Sequence, residues 1–159
     1  MKPCKLSWSI SGLLLLIVVL MAYKFILSGD VAPSSDGRQA LQLTAGERDL
    51  VLGEMRMFLS SVQSITAGLS KGDMSQVVNA ARKVGAAAQQ AVPASLVGKL
   101  PLSFKKLGFD THKKFDLLAL DAEALGDPQH SLQQLSELMN NCVACHASYR
   151  MDLKPIAVP

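Results

Sequence analysis

From Thr44 onward apolar residues return every three or four positions, and the pattern breaks at three places. An α-helix brings side chains to one face at that period, so this part of the chain has to fold from helices that each bury a stripe. The segment "LTAGERDLVLGEMRMFLSSVQSITAGL" opens with Thr44 and Glu47 in capping-box spacing and carries Leu52, Met55, Leu59, Val62, Ile65 and Leu69 in register. It predicts a first helix, A. "KGD" at 71–73 ends helix A, and Asp73 caps a second, B, reaching about Gln90 with Val77, Ala81, Val84 and Ala88 on its face. The stretch 92–101 predicts a loop, because Pro93 and Pro101 each remove a backbone donor and disfavour helix just before themselves. Helix C follows with Phe104, Leu107, Thr111, Phe115, Leu118, Ala122 and Leu125 in register, His112 at its flank and Gly108 as a bend or late start. "GDP" at 126–128 supplies a glycine stop, an aspartate cap and a proline at the first helical position. Helix D then carries Leu132, Leu135, Leu138 or Met139, Cys142, His146 and Tyr149, with His130 in its exposed first turn. No strand alternation and no glycine-rich phosphate loop is visible. The expected fold class is all-α, an antiparallel four-helix bundle, an architecture whose interior takes cofactors.

Ahead of this bundle, Lys2 and Lys5 precede an apolar run from Trp8 to Leu27 that only Lys24 interrupts. A cleavable signal has an apolar core of ~7–15 residues and a small-x-small site, whereas this run approaches the ~20 residues that span a bilayer and no Ala-x-Ala follows. The reading favours an uncleaved signal-anchor helix over a cleaved signal, with its N-terminus inside. Cys4 lies before the run rather than after it, where a lipoprotein cysteine would be. Three segments result: 1–28 as signal-anchor or signal peptide, 29–40 as a flexible linker rich in Gly, Pro, Ser and Asp, and 41–159 as the helical domain. The expected location is periplasmic, at the inner membrane.

From Leu41 onward 12 Lys and Arg face 11 Asp and Glu, so the domain is nearly neutral and lacks the basic face of a nucleic-acid binder. After residue 40 the aromatic residues are Phe58, Phe104, Phe109, Phe115 and Tyr149. Aromatic rings usually supply much of a small core, so their scarcity leaves room for a large apolar group from outside.

Near the C-terminus, "LMNNCVACHASYR" places Cys142 and Cys145 three apart with His146 directly after. Cysteines three apart on a helix are poorly placed for the ~5.5–6 Å Cα separation of a disulfide. A thioredoxin-like pair belongs at a helix N-terminus, and this pair lies well inside helix D. Zinc needs four ligands, and only His112 and His130 remain outside the motif. Covalent haem attachment fits: two thiols add across haem vinyl groups, and the following histidine is placed to ligate iron.

The string "CVACHASYR" resembles the C-x-x-C-H-x-x-[YF]-R mark of the class II c-type cytochromes, the cytochrome c′ and cytochrome c-556 group, in which it lies near the C-terminus of a four-helix bundle. The resemblance covers residues from about 41 to 152. It implies one covalent haem c on Cys142 and Cys145, His146 as proximal iron ligand, Arg150 one helical turn on near the proximal face, and Tyr149 packing beside the ring. In that family a methionine from helix A over the open side of the iron suits electron transfer, whereas an apolar residue leaves a site for nitric oxide or carbon monoxide. Helix A carries Met55 on its stripe and Met57 about 200° around, so Met55 is the expected sixth ligand. The resemblance also implies redox partner proteins and a homodimer through helices A and B. Outside the motif no carboxylate pair or Ser-His-Asp set is present to carry turnover, and an enzyme is not expected.

Overall fold

The computed structural model describes residues 3–154. Met1, Lys2 and the last five positions of the expected domain lie outside the described residues, as do the side chains of Cys4 and Lys5. The chain is mostly helical: α1 Pro3–Ala22, α2 Ala45–Lys71, α3 Met74–Arg82, α4 Ala94–Val97, α5 Leu102–Leu125 and α6 Pro128–Ser148. Three short strands, β1 Val31–Pro33, β2 Gln39–Leu43 and β3 Tyr149–Leu153, make a sheet in the order β1-β2-β3.

Helix starts and stops follow the sequence signals. The Thr44 hydroxyl accepts the Glu47 N–H at 3.4 Å and the Glu47 carboxylate accepts the Thr44 N–H at 2.9 Å, a complete capping box on α2. Asp73 caps α3, and Asp127 accepts the N–H groups of Gln129 and His130 to start α6. α2 packs on α3 and α6, and α5 packs on α3 and α6. The main core lies among them, built from Phe58, Ile65, Val77, Phe115, Leu118 and Leu138, with the Phe58 and Phe115 rings stacked at 5.5 Å.

α3 stops at Arg82, eight residues short of its expected end, because α5 takes hold of the chain beyond it. His112 Nδ1 donates to the Val84 carbonyl at 2.8 Å, and the Asp116 carboxylate accepts the Ala86 N–H at 2.9 Å. Gly85 is what lets that carboxylate in, since a Cβ there would lie 1.8 Å from Asp116 Oδ1. Residues Ala86–Ala91 continue as a 3₁₀ turn, and the expected loop at 92–101 contains the single turn α4.

The expected linker at 29–40 is built into the fold. β1 pairs antiparallel with β2 and β2 pairs in parallel with β3, Gln39 opposite Tyr149 and Leu41 opposite Met151. Leu41 and Leu43 are fully buried in a second core with Val51, Leu96, Leu100, Phe104 and Tyr149. Helix α1 and the π-helical turn Tyr23–Ser28 contain a 22-residue apolar span, Ser7–Ser28, whose side chains are uncovered by protein. At ~1.5 Å per residue it is about 33 Å long, enough to cross a bilayer. It meets the domain through Gly29, whose φ of 65° with ψ of −160° is a backbone conformation essentially reserved for glycine and whose missing Cβ would stand 2.5 Å from the Lys99 carbonyl. The Asp30 N–H donates to that same carbonyl at 2.6 Å.

Candidate functional site

Cys142 and Cys145 lie one turn apart on α6, both half-buried and both free thiols. The rotation of α6 is set one residue earlier. Asn141 is buried and donates to Asp110 at 2.8 Å and to the Thr111 hydroxyl at 3.2 Å, while accepting Lys114 at 3.2 Å. That lock turns Cys142 toward the main core and Cys145 toward the second one. Met55 of α2 packs against both cores and is half-buried, whereas Met57 is 51% exposed. Burial pushes the Cys142 thiol up, and burial followed by its neighbour Cys142 pushes Cys145 up to about 11. Both are S–H groups at neutral pH. The electropositive setting of a nucleophilic thiolate is missing, and no cage of three or more His, Cys, Asp or Glu side chains forms among the described residues.

His146 is exposed rather than inward, which corrects its expected place on the inner stripe. Among the described residues no group hydrogen-bonds its ring. The correction extends along both helices. On α2 the buried stripe is Val51, Phe58, Ser61, Ile65 and Gly68, rotated from the predicted one, so Leu52, Met55 and Val62 are half-covered and Leu59 is 71% exposed. On α6 the buried set is Ser131, Leu135, Leu138 and Asn141, which leaves Leu132, Met139, Val143 and His146 facing out. Each helix therefore carries an apolar strip wider than the protein covers. Two recesses on the described surface, of about 300 and 80 Å³, lie away from the motif.

Arg150 is also corrected. α6 ends at Ser148, so Arg150 lies on β3, where it pairs with Asp152 at 2.8 Å and Asp36 at 3.4 Å instead of following the histidine by one helical turn. Tyr149 is buried with its ring edge-on to Phe104 at 5.2 Å and its hydroxyl on Ser103. The cation that reaches the end of α6 is Arg38, from the segment expected to be a linker. Its guanidinium donates to the carbonyls of His146 at 3.4 Å and Tyr149 at 3.3 Å while Asp36 holds it at 2.7 Å. The hydrogen bonds from Arg38 and Ser34 hold the Asp36 carboxyl well below the usual range. No sequence pattern marks Arg38, because its role depends on a strand pairing more than a hundred residues long.

His112, read from the sequence as lying at the flank of helix C's stripe, is only 3% exposed. Its Nδ1 lies on the Val84 carbonyl, its Nε2 is 3.1 Å from Glu54 Oε1, and its ring tilts against Phe58 at 4.9 Å. Acceptors on both nitrogens favour the protonated ring. Burial works to lower its pKa, but the Glu54 and Val84 hydrogen bonds outweigh it and leave the pKa raised. His130 pairs with Asp121 at 3.3 Å. Searches against protein-family models, curated proteins and solved structures find no match for this chain.

Proposed function

We propose that the protein is a membrane-anchored, periplasmic c-type cytochrome with one haem covalently held by Cys142 and Cys145, serving electron transfer between redox partner proteins. The observation that carries the reading is the pairing of two protonated, half-buried thiols and an unpartnered, exposed imidazole with uncovered apolar strips on α2 and α6. Thioether formation adds each S–H across a vinyl group and consumes no oxidant, so protonated thiols suit it. When bound, the haem supplies a one-electron Fe(III)/Fe(II) couple. His146 offers a ring free to ligate, Leu52, Leu59, Val62, Met139 and Val143 offer apolar cover, and Met55 offers a thioether beside both cores. In this reading α2, α3, α5 and α6 are the four helices of a class II cytochrome bundle, with the sheet as an addition. The seat is an open face of the bundle rather than a hole inside it.

Haem extraction tests the reading. Acid-acetone should leave the colour with the protein, and the Cys142→Ala, Cys145→Ala double variant should bind no haem covalently. Colour that extracts from the wild type sinks the proposal. Leu52 and Leu59 share the strip with Met55, and this favours a second reading in which an apolar side chain faces the iron and the haem binds nitric oxide or carbon monoxide. A high-spin reduced spectrum that shifts readily with carbon monoxide selects it.

A further inference from the structure

A second recess, about 80 Å³ and open to solvent, lies between α5 and the segment that leads into it. Val97, Leu100, Phe104 and Phe109 make its apolar walls, and Glu54 and His112 make its polar end. Gly108 lies on the same wall, in mid-helix, where glycine costs ~1 kcal/mol relative to alanine. Among the described residues, and apart from its chain neighbours and the backbone of its own turn, nothing comes within 4 Å of the Cβ that Gly108 lacks, so packing does not require glycine there and the space it leaves stays open.

The polar end is selective. Both nitrogens of His112 are engaged by Val84 and Glu54, so the histidine fixes the carboxylate rather than meeting a ligand. Glu54 Oε1 takes that bond, and among the described residues its second oxygen has no hydrogen-bond partner. A free carboxylate oxygen accepts a hydroxyl and repels an anion. The Lys105 ammonium at the rim disfavours a cation, and His112 behind the carboxylate has no free acceptor to offer one. A neutral donor on a flat apolar body is what remains.

The recess also lies at the end of the apolar span. Lys105 on its rim donates to the carbonyls of Phe25 at 2.9 Å and Ile26 at 3.4 Å, and Gly98, beside Val97, lies against the Phe25 ring. Both residues belong to the last turn of the 7–28 span. With Ser7–Ser28 read as a membrane anchor, the opening would be at the level where hydrocarbon gives way to water.

We propose that this recess seats the hydroxyl-bearing edge of a membrane-soluble hydroquinone, its hydroxyl donating to Glu54 and its ring lying between Phe104 and Phe109. The inference rests on the membrane-anchor reading of Ser7–Ser28 and is independent of the haem reading.

The test uses the full-length protein in lipid nanodiscs, with a hydroquinone bearing a decyl tail as probe and decanol as the tail-only control. Binding to the wild type should saturate. Gly108→Leu, which fills the recess at a position that already tolerates helix, should weaken it at least tenfold with the far-ultraviolet circular dichroism unchanged, and Glu54→Gln should weaken it as well. Equal, non-saturating uptake by wild type and Gly108→Leu overturns the proposal, and so does displacement by decanol as effective as by unlabelled hydroquinone. The mass of the purified chain is read alongside. A chain that has lost its first 28 residues refutes the anchor, whereas failed binding by an intact chain refutes the recess alone.

Discussion

Leu59 offers a test that separates a covered face from a bare one. Its side chain is 71% exposed on the α2 strip that also carries Met55, so the protein itself gains little from it. Burying a whole leucine side chain is worth ~1.5–3 kcal/mol, and a group that covered the exposed 71% would recover ~1–2 kcal/mol. Leu59→Gln removes that gain while keeping nearly the same helix propensity. Leu50 is the control: it is 53% exposed and, nine residues away on the same helix, points to the opposite side. Urea unfolding of the haem-loaded protein should show Leu59→Gln destabilised by ~1–2 kcal/mol, against the ~0.5 kcal/mol or less typical of a surface change for Leu50→Gln. Equal midpoints for the two variants would refute a haem on the α2–α6 face, wherever else the colour resides.

Met55→Ala should convert a low-spin spectrum to a high-spin one that binds carbon monoxide, whereas Met57→Ala should leave it low-spin. The raised pKa of His112 gives a signed pH dependence. Its stabilising effect is complete below the unfolded value of about 6.5 and fades as pH rises through the folded value. The thermal midpoint of wild type over His112→Gln should therefore be widest on the acid side and narrow on the alkaline side, and a gap that widens with pH contradicts the Glu54 pairing. Gly29→Ala forces alanine into a backbone region essentially reserved for glycine, ~1–3 kcal/mol, and an overlap with the Lys99 carbonyl, so limited proteolysis should cut near residue 29 faster than in wild type. Unchanged cleavage would mean the junction is not held as described.

The sequence was most legible where a signal is local. Thr44 with Glu47, Asp73 and Asp127 with Pro128 each act within one turn, and all three helix starts follow them. The stripes were read too broadly, because period alone does not say which part of a wide apolar face a partner covers. Leu59 and Leu132 are as apolar as Leu135, and only the packing of α2 on α6 leaves the first two out. His112 was missed for the matching reason: it lies beside Thr111 on the flank of the stripe, and its burial depends on Glu54 of α2 and Val84 after α3. The sheet was invisible, since β1 and β3 are short and the segment around β1 has the composition of a turn.

The parallel pairing of β2 with β3 also orders the events of assembly. Strand residues such as Gln39 and Tyr149 meet only after the whole helical segment between them has been made and folded back. Closing a loop of that length is slow compared with joining α5 to α6 across a two-residue turn. Until it closes, Arg38 is away from the end of α6 and the carbonyls of His146 and Tyr149 have no cation on them. The segment that follows the apolar span is thus the last part to fasten onto the motif, and α6 passes through a period in which its thiols are formed on a helix but not yet fenced by the strands.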